Sequence, residues 1–261
     1  MKQAQVSGKY VIGLDSSTTG TKVLVLDGRG RVVASAGRPI PLASPLPHRY
    51  EQNPDHWWRA TRLALRDVTA RVDPARVAAL AVSNQRETFV PLDKTNKPLR
   101  PAIIWLDERC REEVEPFARA FGPARLLRIT GKPVDYAPVV YRLAWMRCHE
   151  PGLYKKIGMV CDVDTYLVWK LTGEFRTSQA SACPLGVFDL ARRRWSEPIL
   201  SALGLKTNQF PEALPPGRVL GRVTRAAAAA TGLMPGTLVA AGGGDGQAAG
   251  QRCTEPQGVG R

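Results

Sequence analysis

No run of apolar residues in this sequence approaches the roughly 20 needed to cross a bilayer, and the opening MKQAQVSGKY lacks the apolar stretch of a secretion signal. These two absences predict a cytoplasmic protein with no membrane partner. No two of the five cysteines (Cys110, Cys148, Cys161, Cys183 and Cys253) stand at CxxC spacing, which leaves neither a disulfide framework nor a structural zinc site. No GxxxxGK[ST] string occurs, so the common phosphate-binding P-loop is excluded. Internal repeats and low-complexity tails are absent too. The formal charge of +14 is not gathered into a basic stripe; Arg192, Arg193 and Arg194 form the one tight cluster. A nucleic-acid partner is therefore not expected, although a positive field suits a small anionic ligand such as a nucleotide.

What is present is an ordinary globular composition, 44% hydrophobic and 23% charged over 261 residues, enough for one large domain or two small ones. Residues 9–15 (KYVIGLD), 21–27 (TKVLVLD) and 31–39 (RVVASAGRP) read as three strands joined by tight turns in an antiparallel meander. The proline-rich residues 39–47 read as loop. Asn53 caps a helix opened by Pro54, with Trp57, Ala60, Ala64 and Val68 on its apolar face. Residues 77–83 (VAALAVS) and 88–93 (TFVPLD) read as strands. Residues 108–152 read as helical, with interruptions at Pro116, Gly122, Pro133 and Pro138. DTYLVWKL (164–171) is a compact helix stopped by Gly173, and TRAAAAATGL is another, ending at Gly232. PEALPPGRVLGRV reads as loop and turn, and GTLVAAGGGDGQAAGQ as strand, loop and helix start. Strands, a helix and further strands in this order predict an α/β layer.

Two glycine loops carry the chemistry. GGGDGQAAG (242–250) holds a G-x-G-x-x-A string between a strand and a helix start, the context of a dinucleotide site. Eleven residues follow Gly250. They are too few for a second strand, and no acid lies about twenty residues on to hold a ribose, so that reading is rejected. In GLDSSTTGTK (13–22), the turn's N–H groups and the hydroxyls of Ser17, Thr18 and Thr19 can cradle phosphate oxygens. Lys22 can pair with their charge, and Asp15 can hold Mg²⁺ through water. An acid ending a first strand and another ending a late strand can converge on one cleft, the minimum needed for phosphoryl transfer.

At this point the sequence resembles the FGGY carbohydrate kinases of the actin/hexokinase/Hsp70-like ATPase superfamily. GLDSSTTGTK resembles the family's first phosphate hairpin. SNQRETFVPLD with KPLRPAIIWLDER resembles the substrate segment of its glycerol-kinase branch. DVDTYLVWKLTGEF resembles an internal helix, and GGGDGQAAG the catalytic-aspartate loop. The four matches are collinear over residues 9–251. The resemblance implies an α/β, ribonuclease-H-like (actin-like ATPase) domain with a mixed sheet flanked by helices. It also implies ATP and Mg²⁺ as cofactors and a small polyol or sugar as acceptor.

Residue by residue, the resemblance makes Asp245 the general base. Arg86 and Glu87 hold acceptor hydroxyls, and Tyr136, Gln247 and Trp105 complete the acceptor pocket, Trp105 being equally readable as a core residue. Relatives carry two glutamines after the catalytic aspartate; here Gly246 replaces the first. A glycerol-like acceptor is expected, with room for xylulose, ribulose or erythritol, although NQRE departs from the GQMH-like string of xylulokinases. Family members are about twice as long, so these residues are expected to be the N-terminal, substrate-side domain, with the nucleotide-binding C-terminal domain missing. Weak activity and self-association into a homo-oligomer through the uncovered docking surface are expected of it alone. The competing expectation is a non-catalytic remnant that binds a polyol or a partner chain.

Overall fold

The computed structural model describes residues 9–244. In chain order the first elements are β1 (Tyr10–Ser16), β2 (Gly20–Leu26), β3 (Val32–Pro39), β4 (Ala43–Leu46), β5 (Arg49–Gln52), α1 (Pro54–Thr69), β6 (Val77–Asn84), β7 (Phe89–Leu92) and β8 (Ala102–Ile103). Next come α2 (Arg111–Phe121), α3 (Pro123–Thr130), α4 (Val139–His149), α5 (Pro151–Tyr154), β9 (Met159–Asp162), α6 (Val163–Thr172), β10 (Arg176–Ser178) and α7 (Gln179–Ala182). The last are β11 (Phe188–Asp189), β12 (Arg194–Trp195), α8 (Glu197–Leu203), β13 (Glu212–Leu214), β14 (Val219–Arg222), α9 (Arg225–Thr231) and β15 (Leu238–Gly244).

The principal sheet has the order β14-β15-β6-β1-β2-β3. The predicted meander forms, because β1–β2 and β2–β3 pair antiparallel; β6 and β15 then add parallel to β1. Alternation along β1 and β2 sends Ile12, Leu14, Val23 and Val25 into a core with Trp57, Ala64 and Val68 of α1. Helix α1 starts as expected: the Asn53 side chain accepts from the Asp55 amide at 2.9 Å, and Pro54 follows the cap. Helices α6 and α9 complete that layer, their ends set by Gly173 and Gly232 in left-handed conformations.

A second sheet, β4-β5-β8-β7-β9, leads into a second core around α2, α4 and α8. Three local readings are corrected here. Residues 43–46, read as loop, form β4 and pair with β5. All four β4 residues are exposed, so no alternation marked the strand. PEALPPGRVLGRV, read as loop and turn, contains β13 and β14, which gain their partners from distant segments, β10 and β15. Pro116 does not interrupt the chain; it sits inside α2. Only the hydrogen bond to the Glu112 carbonyl, in the first turn, is forfeited there. Among the described residues there is no disulfide and no helix long and apolar enough to cross a membrane.

Candidate active site

Strands β1, β6 and β15 run parallel and in neighbouring positions, so their C-terminal ends lie along one edge of the sheet. The register sets them level: Asp15 opposes Ser83, Ser16 opposes Asn84, and Gly244 also opposes Asn84. Ligands in such sheets gather beyond the carboxyl ends of the parallel strands. The β1–β2 hairpin and the segment carrying Arg86 and Glu87 leave the sheet at this edge, where β15 also ends at Gly244. Asp245 and Gln247 lie outside the described residues.

At the β1–β2 hairpin, Asp15, Ser17, Thr19 and Lys22 line an open groove of about 620 Å³. Lys22 opposes Asp15 across the β1–β2 hairpin, and Arg38 of β3 lines the groove as well, its guanidinium bonded to Asp67. The hairpin is closed by the Ser17 amide and hydroxyl, both donating to the Gly20 carbonyl at 2.9 Å. Thr18 is turned the other way. Its hydroxyl donates to Gln85 Oε1 at 3.3 Å and accepts from Trp105 Nε1 at 2.9 Å. Among the described residues no three acidic, histidine or cysteine side chains cluster as a metal cage. One carboxylate beside hydroxyls and a groove suits Mg²⁺, which keeps several waters and binds through few carboxylates plus phosphate.

Arg86 and Glu87 follow closely on β6. Glu87 adopts φ = 53°, a left-handed conformation uncommon for a non-glycine residue and often found at functional sites. Lys132 Nζ stands 3.7 Å from its carboxylate. Trp105 is 41% exposed, which corrects the reading of a core tryptophan. Tyr136 is half-buried, with the Arg111 guanidinium 4.3 Å over its ring.

Several residues that motif reading passed over hold these parts together. Gln85 and Gln52 are buried side by side, Gln85 Nε2 donating to Gln52 Oε1 at 2.8 Å. Gln52 Nε2 donates to the Thr18 carbonyl at 2.6 Å, and Thr88 Oγ1 donates to Gln85 Oε1 at 3.3 Å. This amide pair thus joins the β1–β2 hairpin to the segment after β6 through buried and part-buried hydrogen bonds. Gln85 lies within the quoted NQRE string, but nothing in the string says that Gln52, 33 residues earlier, is its partner.

A second network supports β15. Asp162 caps α6 by accepting from the Thr165 amide at 2.7 Å. Asp164 Oδ2 accepts from Thr177 Oγ1 at 3.0 Å and from the Ser178 amide at 2.9 Å. Ser178 Oγ then donates to the Gly242 carbonyl at 2.7 Å, two residues before β15 ends. Burial, and then the charge of Asp162, push the Asp164 carboxyl up to about 7. Gly242 is needed for close approach: a Cβ there would lie 1.9 Å from the Val82 carbonyl oxygen of β6.

An α/β domain with an antiparallel β1–β2–β3 meander, two parallel strands added beside β1, and a polar edge at the ends of the parallel strands belongs to the actin-like ATPase fold. Known proteins agree. The model of the FGGY family of carbohydrate kinases, N-terminal domain, matches residues 10–250, and the chain belongs to that family. It is 33% identical over 234 residues to xylulose kinase of Klebsiella pneumoniae, covering 90% of this chain and 48% of that protein. It is 34% identical over 257 residues to glycerol kinase of Nocardia farcinica, covering 95% of this chain and 50% of that protein. The crystal structure of xylulose kinase from Rhodospirillum rubrum superposes with a TM-score of 0.90 at 32% identity, covering 97% of this chain and 51% of that one. The chain thus spans about half the length of the relatives it matches.

Proposed function

We propose that this chain is the acceptor-side domain of an ATP-dependent kinase that transfers a phosphoryl group to a hydroxyl of a small polyol or ketose. The observation that supports it best is the level edge at which β1, β6 and β15 end, carrying the phosphate hairpin, the Arg86–Glu87 segment and the approach to Asp245. ATP, when bound with Mg²⁺, supplies the transferable phosphoryl group and the charge neutralisation it needs. Ser17, Thr19 and Lys22 would meet phosphate oxygens, and Asp15 would hold the metal through water.

Arg86 would donate to, and Glu87 accept from, neighbouring acceptor hydroxyls, fixing which hydroxyl faces the phosphate. Asp245 would take the proton of that hydroxyl as its oxygen attacks; a carboxylate is too weak a base to remove it beforehand. Trp105 would give the carbon chain an apolar wall, with Tyr136 and Gln247 beside it. The relatives, xylulose and glycerol kinases, carry the acceptor class, small polyols and ketoses, without choosing within it. In this reading the acting protein also includes a nucleotide-binding domain matching the second half of those relatives.

The test is the complete protein assayed with ATP against glycerol, erythritol, xylulose and ribulose. Transfer to at least one is expected, and Asp245→Asn lowers turnover by about a thousandfold while acceptor affinity stays within about threefold. Parent-like turnover in Asp245→Asn overturns the assignment of the base; no transfer to any acceptor overturns the kinase reading.

A further inference from the structure

Helix α4 carries one charged side chain in an otherwise apolar stretch, VVYRLAWM, and that side chain is fully buried. Arg142 has no ion pair with a carboxylate among the described residues. The charges of Asp107 and Glu87 act on it without pairing, and Asp107 has both oxygens engaged: Arg109 donates at 2.7 and 2.8 Å and the Tyr50 amide at 2.7 Å. Cys110 is also close, but burial pushes its thiol up to about 11, so it stays neutral and supplies no counter-charge. The two terminal NH₂ groups of Arg142 bond backbone carbonyls instead, while its Nε is buried without a hydrogen-bond partner among the described residues. They donate to the carbonyls of Glu87, Ile104 (2.9 Å) and Ala137.

Those three carbonyls come from three separate loops, and each is at or next to a residue of the acceptor pocket: Glu87 itself, Ile104 before Trp105, and Ala137 after Tyr136. A buried charge without a carboxylate is an expensive way to stabilise a core; an apolar side chain of similar size usually does as well. Its fork, by contrast, fixes several acceptors in one rigid plane, which a single contact cannot do. The Glu87 carbonyl is one of them, and Glu87 is held at φ = 53°. Without that bond its backbone is free to relax to an ordinary conformation, carrying the carboxylate out of the pocket.

We propose that Arg142 is a positioning residue for the acceptor pocket: its buried guanidinium sets Glu87, Trp105 and Tyr136 relative to one another by holding the backbone of all three loops. The pocket's role rests on the kinase reading above; the mechanical linkage does not.

The experiment measures amide exchange by mass spectrometry in this chain and in Arg142→Met and Arg142→Lys, alongside kinetics of the complete enzyme. In Arg142→Met, exchange over residues 86–89, 104–107 and 136–139 rises together, by about tenfold or more, from the loss of charge-assisted hydrogen bonds. Residues of α8 and β3 keep their parent rates, and Arg142→Lys falls between. If Arg142→Met does not fold, Arg142→Lys decides. In the enzyme, the acceptor KM rises about tenfold while the ATP KM stays within about threefold. Loosening of only one loop, or of none, in a folded variant overturns the proposal. So does a parent-like acceptor KM in protein whose only change is a lower melting point, the outcome of a merely structural role. A parent enzyme that phosphorylates no polyol or ketose defeats the kinase reading, while the exchange data still judge the linkage.

Discussion

Asp164→Asn should make this protein more stable at neutral pH, by an amount that grows as pH rises. The carboxyl is buried beside that of Asp162 and is pushed from its ordinary 3.8 to about 7, by burial first and by the neighbouring charge second. Below 3.8 it is protonated in both the folded and unfolded chain, and folding carries no penalty. Between 3.8 and about 7 the unfolded chain releases the proton while the folded protein retains it, so stability falls with rising pH; above 7 the loss is complete. At about 1.4 kcal/mol per tenfold change in proton affinity, the full interval comes to about 4 kcal/mol. Asparagine keeps an acceptor oxygen for Thr177 and Ser178 and has nothing to ionise. Urea unfolding of parent and variant should therefore show a gap that widens by about 2–3 kcal/mol from pH 5 to pH 7.5 and then stays constant. A constant gap across that range, or an Asp164→Asn variant less stable at pH 7.5 than at pH 5 by as much as the parent, would refute a neutral buried carboxyl.

Gln85→Leu removes three hydrogen bonds of the buried amide pair and should cost about 2–3 kcal/mol in denaturant unfolding, with faster amide exchange in residues 17–20; unchanged exchange there would separate the hairpin from Gln85. Gly242→Ala drives a Cβ into the Val82 carbonyl and should cost about 3 kcal/mol or more, because backbone and not a flexible side chain must yield; parent-like stability would show that β15 is not packed this closely on β6. Lys132→Ala breaks a long, partly exposed ion pair and should change stability by less than about 1 kcal/mol, while calorimetric titration of acceptor polyols shows altered affinity.

Much of the architecture was legible because local rules and tertiary packing agreed. The meander alternates along strands that have one buried face, and α1 announces itself through Asn53 and Pro54. Where a strand was missed, the sequence had no local signal to offer: β4 has four exposed residues, and β13 and β14 exist by pairing with β10 and β15. Part of the site was legible too. The hydroxyl-rich hairpin and the NQRE string stand out in one-dimensional order, though Thr18 turns towards Trp105 and Gln85 and away from the groove that Ser17, Thr19 and Lys22 line. Arg142 had a signal that went unread: a lone charge in VVYRLAWM, a helical stretch otherwise without charge, is placed to be buried, and a buried charge must be answered by something.

The sequence by itself determined the family, the handedness of the chain's punctuation and the residue types that can bind phosphate, metal and hydroxyl groups. These follow from strings a few residues long, whose backbone and chemistry are set locally. Only the tertiary structure decided which of these residues share an edge and what holds them there. The level ends of β1, β6 and β15 depend on sheet order and register. The buried Gln52–Gln85 pair and the Arg142 fork join residues tens of positions apart, because a polar group taken out of water must find its partner in space, wherever the chain happens to supply it.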